Sequence, residues 1–264
     1  MTDQQPSILT QEGADRIRDM SGIKRFDVAV VLGSGWANAA PSLGTLKAEL
    51  PFADIPGLRQ PVAPGHRGLL QVRESHGRSI LVFEGRTHLY EGHGSAAVTQ
   101  SIRLASALGA TRLLLTNANG CYHPDWSIGS GVVITDHLNM TGVNPLNGSR
   151  FLDLQNCWNK RLNLSALERF PELKSGIYAL MTGPEYQTPA EGRMLVTMGA
   201  DVVGMSSVLE AITATDLNMQ VFGLSVVTSS ELTGVEIDPD EVVAAAEAAA
   251  TRMGAVLSYV ISLD

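Results

Sequence analysis

With 264 residues, 44% of them hydrophobic, 17% charged and 26 glycines, the chain has the size and apolar content of one α/β domain spanning 1–264, which excludes a disordered or fibrous protein. Asp and Glu outnumber Lys and Arg 27 to 19, a formal charge of -8 with no basic stripe, so a nucleic-acid backbone finds no footprint here. A small anion remains admissible, because a few arginines and backbone amides decide such a site.

The N-terminus has no cationic start followed by an apolar core, and no apolar run approaches the roughly 20 residues that span a bilayer, so a cytoplasmic protein without a membrane partner is expected. Cys121 and Cys157 lack CxxC spacing or a histidine cluster, which argues against a disulfide framework or a zinc site. The pattern then predicts, in chain order, strands at Asp27–Leu32 and Ser79–Glu84, a helix at Ser95–Leu108, and strands at Arg112–Thr116 and Gly131–Thr135. Helices follow at Pro189–Met198 and Ser206–Asn218, then a strand at Val221–Thr228 and a helix at Asp240–Leu263. In that last helix Val242, Ala246, Ala249, Met253, Leu257 and Val260 recur at steps of three and four, making one apolar stripe. Short, near-continuously apolar strands between Gly-rich turns and helices imply an α/β fold with a central mixed sheet flanked by helices. The stretches 51–68 and 144–156 read as long irregular loops.

Polar tools gather after the predicted strands, where sites of open α/β sheets lie. Gly33-Ser34-Gly35 follows the first strand and is expected to open a helix, which suits an anion. Position 38 is Asn where a dinucleotide fingerprint has its third glycine, so that reading fails. Arg86, His88 and Tyr90 alternate after the second strand, which puts a guanidinium, an imidazole and a phenol on one face of an extended chain. Thr116, Asn117, Asn119 and Gly120 read as a turn, Tyr186 and Gln187 precede a helix capped near Thr188, and Ser206 begins another helix. There is no carboxylate couple, metal box, GxSxG elbow or P-loop, so the set favours binding and polarising an anion over a protein nucleophile.

The stretches VVLGSGWA, APGHRG, GRTHLYEGH, LTNANG, ITDHLN with NPL, GPEYQTPAE and GADVVGMSSVLE, in this order, closely resemble the trimeric purine nucleoside phosphorylases of actinobacterial type. The resemblance implies the nucleoside phosphorylase fold and a homotrimer. It implies a pentosyltransferase that cleaves purine (deoxy)ribonucleosides to free base and (deoxy)ribose 1-phosphate, with inorganic phosphate as co-substrate and no metal or redox cofactor. It places phosphate at Ser34, His66, Arg86, His88, the Ala118 backbone and Ser206, and the ribose at Tyr90, Met205 and Tyr186. Phe151 is implied to reach the neighbouring subunit's site.

The base end departs from the family pattern. Gln187 stands where the family has glutamate, Ser229 where it has asparagine, Asn119 and Cys121 alter the strand-end motif, and Pro239 stands near an expected histidine. With Gln187, Ser229 and Asn119 as the base-binding set, the resemblance implies altered base selectivity, towards adenine-type or modified bases. The alternative is a catalytically impaired homologue that still binds nucleoside and phosphate. Glu185 and Glu231, close to the altered positions, are expected to point to the opposite face.

Overall fold

The computed structural model describes residues 7–232 and 236–264. Helix α1 (Ile8–Ser21) starts at Ser7, whose hydroxyl accepts the Thr10 N–H at 3.2 Å, and ends at Gly22 with φ +70°. Strand β1 (Val28–Leu32) is buried throughout. The Ser34 turn leads into a 3₁₀ helix, Ala37–Leu43, with Pro41 inside it, and not into the expected α-helix. Strands β2 (Thr45–Pro51), β3 (Leu69–Ser75) and β4 (Arg78–Glu84) form an antiparallel meander. The β3–β4 turn is His76-Gly77, both at positive φ, the geometry that a right-twisted two-residue hairpin requires.

The expected helix over Ser95–Leu108 is two pieces, α2 (Gly94–Val98) and α3 (Gln100–Ala107), broken at Thr99. Strand β5 (Arg112–Cys121) runs on through the residues read as a turn, since β9 pairs with it along its whole length. Then come β6 (Gly131–Asn139), α4 (Lys160–Arg169), β7 (Lys174–Leu180), α5 (Pro189–Thr197), β8 (Val202–Gly204), α6 (Val208–Asp216), β9 (Gln220–Ser230) and α7 (Pro239–Ser262). Helix α5 carries the capping box foreseen around Thr188, whose hydroxyl accepts the Glu191 N–H while the Glu191 carboxylate accepts the Thr188 N–H at 2.7 Å.

The nine strands form one mixed sheet in the order β2-β3-β4-β1-β5-β8-β7-β6-β9. Because β5 also pairs with β9, the strands β5, β8, β7, β6 and β9 close on themselves. In β1, Ala29 and Val31 pack towards α1, α3 and α6, while Val28, Val30 and Leu32 pack towards α7 and the 3₁₀ helix. Five residues of the predicted α7 stripe, Ala246, Ala249, Met253, Leu257 and Val260, are buried there, and Val242 is half-buried at its start. Gly35, at φ +75°, lies under that start: a Cβ on it would stand 2.6 Å from both the Ala246 Cβ and the Val243 carbonyl. The helix thus rests directly on the turn that carries Ser34.

Candidate active site

One cavity opens where β1, β4, β5, β8 and β9 end, lined by all the expected site residues except His66 and Phe151. At its cationic side Arg86 is buried and held on three sides. Its Nε donates to Glu210 Oε1 at 3.2 Å, and its Nη1 donates to the Thr116 carbonyl at 2.6 Å and to Ser206 Oγ at 3.3 Å. Its Nη2 is buried with no protein partner. Glu210 in turn accepts the Ser207 N–H at 3.0 Å, so one carboxylate both anchors the guanidinium and caps α6.

Ser207 adopts φ +72°, a costly conformation for a residue with a Cβ. It is held there by the cap and by Asn117 Nδ2, which donates to its hydroxyl at 2.9 Å. Helix α6 therefore begins after Ser207, and Ser206 lies in the bend against Arg86. Thr116 fastens β1 to β5: its hydroxyl donates to the Val31 carbonyl at 3.1 Å and accepts the Gly33 N–H at 3.0 Å.

His66 stands behind Ser34. Its Nδ1 accepts the Arg86 backbone N–H at 2.9 Å, and its Nε2 lies 2.9 Å from Ser34 Oγ. Burial first, then His88 and Arg86, hold its pKa well below the usual 6.5, so the ring is neutral. With Nδ1 accepting, the single proton sits on Nε2 and is donated to Ser34, which leaves the serine's own hydroxyl proton free for the cavity. Burial also lowers His88, although Glu91 Oε1 lies 3.5 Å from its Nδ1. Its ring stacks on Tyr90 with centroids 4.8 Å apart. Burial pushes the Tyr90 hydroxyl up to about 12, so it stays a neutral donor. Arg86, His88 and Tyr90 line the same cavity, although the chain does not stay extended as expected: Tyr90 lies in a 3₁₀ turn, Leu89–Glu91, that follows His88.

The opposite group holds Gln187, Ser229 and a residue that sequence reasoning turned away. Glu231 lines the cavity, accepting a hydrogen bond from Gln187 Nε2 on Oε2 and from Ser229 Oγ on Oε1 at 3.2 Å. The expectation that it faces away is corrected here: Glu231 is two residues beyond Ser229, and a period of two returns it to the same face. Its backbone N–H still pairs with the Cys121 carbonyl at 2.9 Å, which extends the β5–β9 ladder by one residue. Burial raises its pKa, partly offset by the bonds from Ser229 and Gln187.

Asn119 lies between the two groups, its Nδ2 donating to Ser225 Oγ and its Oδ1 buried without a partner. Ser225 donates to Asn117 Oδ1, so a buried relay runs from Asn119 through Ser225 and Asn117 to Ser207. Phe151 is 99% exposed and is not among the residues lining this cavity. Glu210 and Ser207 also escaped notice, and Asn117 was legible only as part of a turn; the Ser207-x-x-Glu210 spacing is the signal that marks a cap there. Among the described residues no three His, Cys, Asp or Glu side chains gather to hold a metal ion, and no helix is long and apolar enough to cross a membrane.

Comparison with known proteins agrees with this architecture. The phosphorylase superfamily model matches residues 27–262. The purine nucleoside phosphorylase of Mycobacterium tuberculosis is 45% identical over 259 residues, covering 97% of each chain. The chain belongs to the purine nucleoside phosphorylases. The relative from Cellulomonas is 41% identical over 96% of this chain and 92% of its own, consistent with an actinobacterial type. Isoform 2 of the Schistosoma mansoni purine nucleoside phosphorylase, solved with cytosine and ribose-1-phosphate, superposes with a TM-score of 0.88 at 29% identity over 97% of this chain and 96% of that one. The family's fold is thus the one seen here.

Proposed function

We propose that the chain catalyses phosphorolysis of purine ribonucleosides and deoxyribonucleosides. A phosphate oxygen bonds to C1′ as the C1′–N9 bond breaks, the bond's electron pair leaves with the base, and the proton that hydrogen phosphate gives up on becoming the ester balances the one the base takes up to become free purine. The observation that carries this reading is Arg86: a buried guanidinium with an unpartnered Nη2, between a serine whose proton is free and a second serine at a helix start. Such a pocket is preorganised for a dianion, which both stabilises the oxocarbenium-like sugar and captures it.

Ser34, Arg86, His88, Ser206 and the Ala118 backbone hold the phosphate in this reading, with His66 orienting Ser34. Tyr90, Met205 and Tyr186 enclose the sugar, and Asn119, Gln187 and Ser229 set the base preference. Inorganic phosphate is the co-substrate, and neither a metal nor a redox group is needed, since the work is positioning and electrostatics. The enzyme acts in the cytoplasm as a homotrimer in which Phe151 meets a neighbouring site, a placement its full exposure supports.

The test is free-base release from inosine, guanosine, adenosine and their 2′-deoxy forms, with and without phosphate. Phosphate-dependent release is expected. Release that ignores phosphate would replace the reading with hydrolysis, and no release from any of them would replace it with a binding protein.

A further inference from the structure

The cavity ends on a carboxylate that none of the three positions expected to read the base supplies. Glu231 is fixed there by three contacts: the Gln187 amide, the Ser229 hydroxyl, and its backbone bond to Cys121. Strand β5 leaves room for it, because a Cβ on Gly120 would stand 1.8 Å from Glu231 Oε1. A glycine in a strand interior has no packing of its own to contribute, so this one makes room for the carboxylate. The Gln187 orientation follows from the same contact, since only the NH₂ side of an amide bonds to a carboxylate oxygen.

We propose that Glu231 is the group that engages the edge of the purine, and that Gln187 and Ser229 are positioning residues that hold its carboxylate in the cavity. The proposal rests on the phosphorylase reading and adds to it the residue that determines base specificity. A carboxylate offers about four lone-pair sites, of which Gln187 and Ser229 occupy two, one on each oxygen. The remaining lone pairs face bases that present N–H groups, either a ring N–H or an exocyclic amine. Those hydrogen bonds hold the base so that its glycosidic bond meets the phosphate, and they reject bases that lack the N–H groups.

The roles are separable by substitution. Glu231→Gln keeps the shape and removes the acceptor pair, and is expected to lower kcat/KM for inosine and guanosine about 100-fold, with the phosphate KM and Tm unchanged. Gln187→Glu sets two carboxylates against each other and is expected to lower the same kcat/KM about tenfold or more. If Gln187 itself read the base, Gln187→Glu would raise or preserve turnover instead. Turnover by Glu231→Gln within about threefold of wild type, or a gain in Gln187→Glu, overturns the proposal. Hypoxanthine binding by calorimetry separates this failure from that of the phosphorylase reading. A wild-type protein that releases no base but binds hypoxanthine at least about tenfold more tightly than Glu231→Gln would sink the activity and keep the role of Glu231.

Discussion

Arg86 and Ser206 touch each other, yet they answer to different demands. Arg86 is one half of a buried ion pair with Glu210, both side chains about 1% exposed. Removing it by Arg86→Ala strands a buried carboxylate, so unfolding free energy is expected to fall by about 3–5 kcal/mol along with loss of turnover. Ser206→Ala leaves that pair intact; phosphate KM is expected to rise about tenfold with Tm nearly unchanged, as steady-state kinetics and calorimetry would record. The histidines add a pH signature. Both are held below 6.5, so an unfolded chain takes up protons near that pH that the native one refuses. Their contribution to stability is complete above 6.5 and is lost as pH falls through it towards the lower native values. Tm measured without phosphate should decline from pH 7 to about 5.5, with a shallower slope in His66→Gln; a flat profile would contradict a neutral, buried pair.

Elements decide how firmly those residues stand. Because α7 rests on the Gly35 turn, Gly35→Ala is expected to weaken phosphate binding as well as stability, whereas Leu257→Ala, farther along the same helix, should cost about 2–5 kcal/mol in denaturant titration with the phosphate KM retained. The strong periods were readable: the α7 stripe, the all-apolar β1, the apolar centres of β4 and β5, and the Thr188 cap. Weak periods were not. Strand β2 is an edge strand with mostly exposed residues, β8 has three residues, and α1 and α4 are polar, so pairing and packing rather than pattern make them. The polar strand end Asn117–Gly120 looked like a turn because its extension depends on β9, more than 100 positions later. At the cavity, the cationic group was legible because residue type and spacing carry anion chemistry. Glu231 was legible only as the residue two beyond Ser229, and its contact with Gln187, 44 positions away, was not.

At the scale of the whole molecule, the closed run of strands and the flanking helices bring segments from Ser34 to Glu231 to one cavity, while Phe151 is left fully exposed. In a trimer completed by that side chain, Phe151→Ser is expected to lower nucleoside kcat/KM about tenfold without altering phosphate affinity. Light scattering should show three chains for the wild-type protein, and a monomer with full activity would refute this arrangement.

In the proposed reaction phosphate, and not water, receives the sugar. Phosphorus-31 NMR of the purified protein with inosine and inorganic phosphate tests it directly. A ribose 1-phosphate resonance is expected to grow in step with free hypoxanthine, one for one. Hypoxanthine accumulating with no new phosphate ester would contradict it.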